Sequence, residues 1–352
     1  MGSDDLSSAA HHGTSTPVHE LEEFDLSALG AIKDRGFLVK LITANKISRV
    51  DYRKAIMALC RQDKPAPRLE DVQILYSETT PPSISPQVVL ERLQYPIRTA
   101  NTTQSFRVDR ISDTMIVKHG RVLPVEVDTM LFVKQHTQIP VPTVHLLFVL
   151  EDSMYLVMEY IPGGDLQHLW PNLQETERRH VLSQLQQYVH DLRAITPSSA
   201  VPGPIGGGVC RGRWFSEFGA GPFESHQELV AWWNSKLPPT LGRGDPAERF
   251  QADHPLVFTH GDLAPRNLIL REGVVWVVDW EQAGWYPAYL EYAFIASETG
   301  DWDYPTPTDW RDAMLSLMPS YEREHELLKG AYGRIGRGFE PLVRGSRVQH
   351  TG

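Results

Sequence analysis

Residues 259–270 read Thr-His-Gly-Asp-Leu-Ala-Pro-Arg-Asn-Leu-Ile-Leu, and residues 274–284 read Val-Val-Trp-Val-Val-Asp-Trp-Glu-Gln-Ala-Gly. Asp262 and Asn267 stand five positions apart on a stretch containing Pro265, and Asp279 ends an apolar run, 274–278, that can fold back beside it. Three oxygen-bearing side chains can then converge. Phosphoryl transfer from a nucleotide needs a carboxylate to orient the attacking hydroxyl and accept its proton, and hard oxygen ligands to hold Mg²⁺ on the phosphates. Asp262 fits the first role; Asn267 and Asp279 fit the second, the amide as a neutral oxygen and the carboxylate as the charge that keeps the ion. Taken singly, each residue has a plainer reading: Asp262 and Asn267 as turn caps, Asp279 as a strand end. The joint spacing favours the chemical one.

Such groups need elements to position them. Short β-type runs fall at 105–108, 115–118, 145–150 and 155–160, with a helix at 124–138 that is ended by Ile139-Pro140-Val141-Pro142. That order predicts a small antiparallel sheet carrying one helix. A longer helix at 175–195 has one apolar stripe, Val181, Leu182, Leu185, Tyr188, Val189, Leu192 and Ile195, which reads as core. Upstream, residues 1–20 read as a disordered tail that includes His11 and His12, two adjacent histidines with no preorganised metal site. Residues 21–94 read as a helical extension followed by a proline-punctuated connector, 95–160 as the small lobe, 161–335 as a larger and mainly helical lobe, and 336–352 as a tail.

Bulk properties exclude several classes. The chain has 352 residues, 34 basic against 44 acidic, for a formal charge of -10, which argues against an extended nucleic-acid surface. Its two cysteines, Cys60 and Cys210, are distant and lack metal-ligand spacing, as expected in a reducing compartment. No apolar run approaches the roughly 18 residues that span a bilayer, so no membrane association is expected. The opening Met1-Gly2-Ser3-Asp4-Asp5-Leu6 has Leu6 where a myristoylation signal needs Ser or Thr, and nothing there resembles a secretion signal. A cytoplasmic location is the expectation.

The segments 260–267 and 279–287 (His-Gly-Asp-Leu-x-Pro-x-Asn and Asp-Trp-Glu-x-Ala-Gly-Trp-Tyr-Pro) resemble the aminoglycoside phosphotransferase and choline kinase superfamily, in particular its fungal-type branch. The similarity extends to Glu126, to Thr-Gln-Ile-Pro-Val-Pro at 137–142, to Leu-Val-Met-Glu-Tyr-Ile-Pro-Gly at 156–163 and to Gly-Pro-Phe at 221–223, and so covers about residues 95–330. The resemblance implies an α+β, protein-kinase-like two-lobed fold and a transferase that uses ATP and Mg²⁺. It also gives Lys118 the role of the strand lysine on the α- and β-phosphates, Glu126 that of its helix partner, and the backbone of Met158, Glu159, Tyr160 and Ile161 that of an adenine-binding hinge. Without it, Lys118 closes a strand and Glu126 is a first-turn acid favoured by the helix dipole. His260 is expected to buttress the loop rather than handle protons.

The turn expected over the phosphates, 99–106, departs from the pattern in having no glycine, although Asn101, Thr102, Thr103 and Ser105 offer side-chain donors. Asn101-Thr102-Thr103 also matches a glycosylation sequon, discounted where no secretion signal is seen. Few residues separate Asp279 from a stretch at 285–295 that reads as helical; there is no Ala-Pro-Glu, and Ala264 stands where Ser/Thr kinases carry lysine. A small hydroxylated acceptor is therefore expected, not a peptide. The acids Glu298, Asp301, Asp303, Asp309 and Asp312 lie among aromatic residues, which would suit a cationic or aromatic acceptor or simply form a solvated face. The competing expectation is a catalytically weak nucleotide-binding regulatory or scaffold module of the same fold.

Overall fold

Alternation of side chains along two neighbouring strands sets up the N-terminal layer. In the strands Val144–Leu150 and Ser153–Glu159, Leu147, Leu156 and Met158 join one buried cluster while Leu146, Phe148 and Val157 join another, as the period-2 geometry of a strand with two covered faces requires. The computed structural model describes residues 69–94, 96–97, 107–120, 122–197, 200–216, 219–239, 248–300 and 305–335. The expected tails at 1–20 and 336–352, the helical part of the extension at 21–61, and the turn at 99–106 with Asn101 and Ser105 lie outside them.

The described elements in chain order are β1 (Gln73–Ser77), α1 (Pro86–Leu93), β2 (Arg107–Arg110), β3 (Met115–Gly120), α2 (Pro124–His136), β4 (Val144–Leu150), β5 (Ser153–Glu159), β6 (Gly164–Asp165), α3 (Leu166–Leu169), α4 (Glu175–Ala194), α5 (His226–Lys236), β7 (Leu256–Thr259), β8 (Leu268–Arg271), β9 (Val274–Val277), β10 (Gly284–Pro287), α6 (Leu290–Ala296), α7 (Thr308–Ser316) and α8 (Glu322–Ile335). The first five strands form an antiparallel sheet in the order β1-β4-β5-β3-β2. The boundary expected at residue 95 thus falls inside the sheet, because β1 pairs along β4 from Gln73 with Val149 to Ser77 with Leu146.

Two helices cover this sheet where one was expected. Helix α2 begins at Pro124, whose missing N–H costs nothing in a first turn, and buries Val127, Met130 and Val133 against Leu147 and Leu156. Helix α1, capped by the Ser85 hydroxyl on the Val88 N–H, buries Val89 on the opposite face with Ile111, Val117 and Phe148.

The larger lobe is mainly helical, as expected. Helix α4 opens with a capping box in which the Glu177 carboxylate accepts the Gln174 N–H at 2.7 Å. Its Val181, Leu185, Val189 and Leu192 are buried as the stripe predicts, each stabilising the fold by about 1.5–3 kcal/mol. A second cluster, including Trp214, Trp233, Phe250, Tyr289 and Leu328, closes the far side. The stretch at 285–295 is not one helix: Trp285 and Tyr286 lie in β10, paired with Phe258 and Val257 of β7, and helix begins only at Leu290.

Candidate active site

A β-hairpin brings the motif together. Leu268 of β8 opposes Val277 of β9, so Asn267, just before β8, and Asp279, just after β9, lie at the same end, and the Val278 N–H donates to the Asn267 carbonyl at 3.0 Å. The 274–278 run thereby folds back as its apolar pattern predicts. Asp279 has φ 66° and ψ 61°, a left-handed conformation that Asp tolerates better than bulky residues and that ends the strand abruptly. Asn267 donates through Nδ2 to both the Asp262 carbonyl and Asp262 Oδ2, each at 2.9 Å. With the amide nitrogen so engaged, its oxygen remains as a ligand atom.

Lys118 reaches the same place from the sheet. It pairs in register with Leu156 and therefore projects on the face covered by α2. Its Nζ lies 2.9 Å from Glu126 Oε2, 2.6 Å from Asp279 Oδ1 and 3.2 Å from Glu281 Oε2, with the lysine only 4% exposed. Burial alone would lower its pKa, but the three carboxylates outweigh burial and hold it raised. Burial pushes the fully enclosed Glu126 carboxyl up, with Lys118 opposing. Glu126, Asp279 and Glu281 lie close enough to cage a cation, and the ammonium of Lys118 fills that role here.

Asp262 is held from behind. Arg266 Nη2 donates to its Oδ1 at 2.7 Å and Oδ2 at 2.9 Å, and Arg266 Nη1 donates to Glu298 Oε1 at 2.9 Å. Glu298 Oε1 also accepts the Gly300 N–H and the Thr306 hydroxyl. Burial pushes the Asp262 carboxyl up to about 6, with Arg266 pulling it back and Asp279 and Glu298 adding to the rise. At neutral pH such a group is mostly ionised, close to the pKa that suits a general base.

His260 behaves as the expected buttress. It is fully buried, its Nδ1 accepts the Asp262 N–H at 3.2 Å, its Nε2 donates to the Val278 carbonyl at 3.2 Å, and its ring packs on Trp280. Burial lowers its pKa, in keeping with a neutral ring. Gly261 has φ +81°, and a Cβ there would sit 2.7 Å from the Gln282 carbonyl oxygen, so only glycine fits. The buried Glu291 accepts the His260 N–H at 2.7 Å and the Gly261 N–H at 3.4 Å. Glu291→Ala leaves these without acceptors and is expected to destabilise by about 1–3 kcal/mol per unpaired group, measured by urea denaturation. An unchanged midpoint would remove Glu291 as the anchor of the loop.

Lys118, Glu126, Asp262, Asn267 and Asp279 are thus brought together. In the segment expected to form a hinge, the Glu159 N–H is taken by the Thr143 carbonyl and the Tyr160 N–H by the Thr114 carbonyl, both at 2.8 Å. Backbone pairing thus runs one residue past β5, and among the described residues no such bond engages the Ile161 N–H. The Glu159 carboxylate accepts the Thr143 N–H, and the Tyr160 ring lies under Arg110. The later acids do not converge: Glu298 serves Arg266, Asp309 pairs with Arg178 at 2.8 Å, and Asp312 is exposed beside Arg311. Asp301 and Asp303 are outside the described residues. Arg266, Glu281 and Glu291 were not singled out from sequence, although Glu281 and Arg266 stand inside the quoted motif, and Glu298 was named only among the acids of a candidate acceptor site, not as the partner of Arg266.

Residues 115–327 match the family described as "Phosphotransferase enzyme family". That span holds Lys118, the loop at 260–267 and the hairpin ending at Asp279, and the chain belongs to this phosphotransferase family. No match to a curated protein sequence is found. Among solved structures, the chain is similar to the GDP complex of aminoglycoside 2'-phosphotransferase-IIIa (10% identity, 70% of this chain and 85% of that one, TM-score 0.47). It is also similar to an aminoglycoside-3'-phosphotransferase of type VIII (19%, 69% and 97%, TM-score 0.43) and to the streptomycin–ATP complex of APH(2")-IIa (12%, 70% and 86%, TM-score 0.43). Among the described residues no helix is long and apolar enough to cross a membrane.

Proposed function

We propose that the protein transfers the γ-phosphate of ATP to a hydroxyl of a small molecule, with Mg²⁺ as cofactor and Asp262 as the base. The observation that carries this reading is the arrangement of charges: Lys118 is 2.6 Å from Asp279, and Asp279 in turn bears electrostatically on Asp262. The hard donor set, one carboxylate and one amide oxygen, suits Mg²⁺ rather than a softer ion. Asp279 and Asn267 would hold the ion, which when bound neutralises charge on the phosphates. Lys118 would exchange its contacts with Asp279 and Glu281 for phosphate oxygens while keeping Glu126, and the Ile161 N–H would donate to the base. Asp262 accepts the hydroxyl proton as the acceptor oxygen bonds to the γ-phosphorus and the bond to the β-phosphate oxygen breaks, releasing ADP.

The pH profile tests the base. Only ionised Asp262 can take the proton, so kcat/KM is expected to rise with pH through about 6 and level off above it. Arg266 holds the Asp262 pKa down, so Arg266→Gln is expected to move this limb upward. A profile flat from pH 5 to 8, or a limb unmoved in the variant, would assign proton transfer elsewhere.

A further inference from the structure

A cavity of about 140 Å³ opens beside Asp262, lined by Arg213, Asp262, Arg266, Gln282, Phe294 and Glu298. It adjoins the carboxylate assigned as base, so it is where the acceptor hydroxyl must enter, and it lies below the roughly 300 Å³ at which drug-sized pockets begin. Its charges are unevenly committed. Both carboxylates, Asp262 and Glu298, are bonded to the one guanidinium of Arg266, at 2.7 and 2.9 Å. Arg213 is exposed and, among the described residues, forms no hydrogen bond or ion pair; its guanidinium lies 6.0 Å from the ring centres of Trp214 and Tyr332, the outer limit of a cation–π contact.

We propose that the acceptor is a compact hydroxylated molecule carrying an anionic group, carboxylate or phosphate, which Arg213 binds while the hydroxyl faces Asp262. This rests on the phosphotransferase reading above and narrows it. Arginine pairs with either anion through two parallel N–H donors, fixing orientation as well as charge. The hydroxyl is thereby aimed at the buried end of the cavity. Gln282 adds a neutral amide for a second hydroxyl, and the Phe294 ring gives the carbon skeleton an apolar wall. A polycationic acceptor would meet an uncompensated guanidinium at the entrance, with the pocket carboxylates already engaged.

The test measures ADP release with glycerate, gluconate, glycerol 3-phosphate, glycerol, glucitol and streptomycin, on the wild type and on Arg213→Gln and Arg213→Lys. Turnover is expected with the acids, and carboxylate and phosphate arms separate the two anion sources. Arg213→Gln is expected to raise KM for the acid at least about tenfold with kcat little changed, and Arg213→Lys to recover part of it. Preference for glycerol, glucitol or streptomycin, or a KM unmoved in Arg213→Gln, overturns the proposal. If no compound supports turnover, the phosphotransferase reading is what fails, and calorimetric titration of glycerate and glycerol 3-phosphate into protein saturated with a non-hydrolysable ATP analogue decides the anion site. Binding weakened in Arg213→Gln supports it; equal binding in both proteins, or none, sinks it.

Discussion

Asp262→Asn is expected to turn over its acceptor about 10²–10⁴-fold more slowly than the wild type, the range a positioned general base contributes, with nucleotide affinity unchanged within a factor of two. Asparagine keeps the shape of the side chain and an oxygen that can accept from Arg266 Nη2 and Asn267 Nδ2, which hold the native carboxylate at 2.7–2.9 Å. What is lost is basicity, so the fold and the nucleotide site should survive. The measurement pairs steady-state kinetics with a nucleotide titration. Full activity in the variant would leave the proton without an acceptor at residue 262 and refute the assigned role.

Lys118→Met is expected to show the second large effect, on stability as well as on activity. The substitution removes the ammonium that, among the described residues, faces Glu126, Asp279 and Glu281 together. Deleting one partner of a buried ion pair typically costs about 3–5 kcal/mol, because the remaining charge keeps its desolvation penalty. Glu126 can escape by binding a proton, since burial already pushes its carboxyl up and only Lys118 and its hydrogen bond pull it down. The native variant then holds a proton that the unfolded chain releases, so its stability falls as pH rises from the ordinary glutamate range toward the raised native value. The urea midpoint of Lys118→Met should therefore lie further below wild type at pH 8 than at pH 5, and adding Glu126→Gln should recover part of the loss. A deficit independent of pH would mean that Glu126 is not the group left unbalanced.

The sequence showed most where the determinants are local. Asp262, Asn267 and Asp279 lie within eighteen positions of one another, and the apolar runs at 268–270 and 274–278 encode the hairpin that joins them. Helix α4 was equally legible, because its stripe is long and periodic. Strand β1 was not: three of its five residues are exposed, including Ile74 and Leu75, so the edge strand carries no alternation and sits among prolines that suggested a connector. The run at 284–287, Gly-Trp-Tyr-Pro, is buried throughout, and a short apolar run of that kind does not distinguish strand from helix. Arg266 and Glu291 escaped notice, and Glu298 was read only as one of several acids, because their meaning lies in pairings across about thirty residues; Glu281 escaped because its partner Lys118 is 163 positions away. Which N–H in 159–161 is left for a base depends on where pairing to Thr114 and Thr143 stops, and no local pattern encodes that.

The central claim is that Asp279 and Asn267 hold a divalent ion on phosphates drawn in by Lys118. Calorimetric titration of a non-hydrolysable ATP analogue, with and without Mg²⁺, into the wild type and Asp279→Asn tests it most directly. The account predicts that Mg²⁺ tightens binding to the wild type and that this gain disappears in Asp279→Asn. Binding that ignores Mg²⁺ in the wild type, or a gain that persists in the variant, would contradict it.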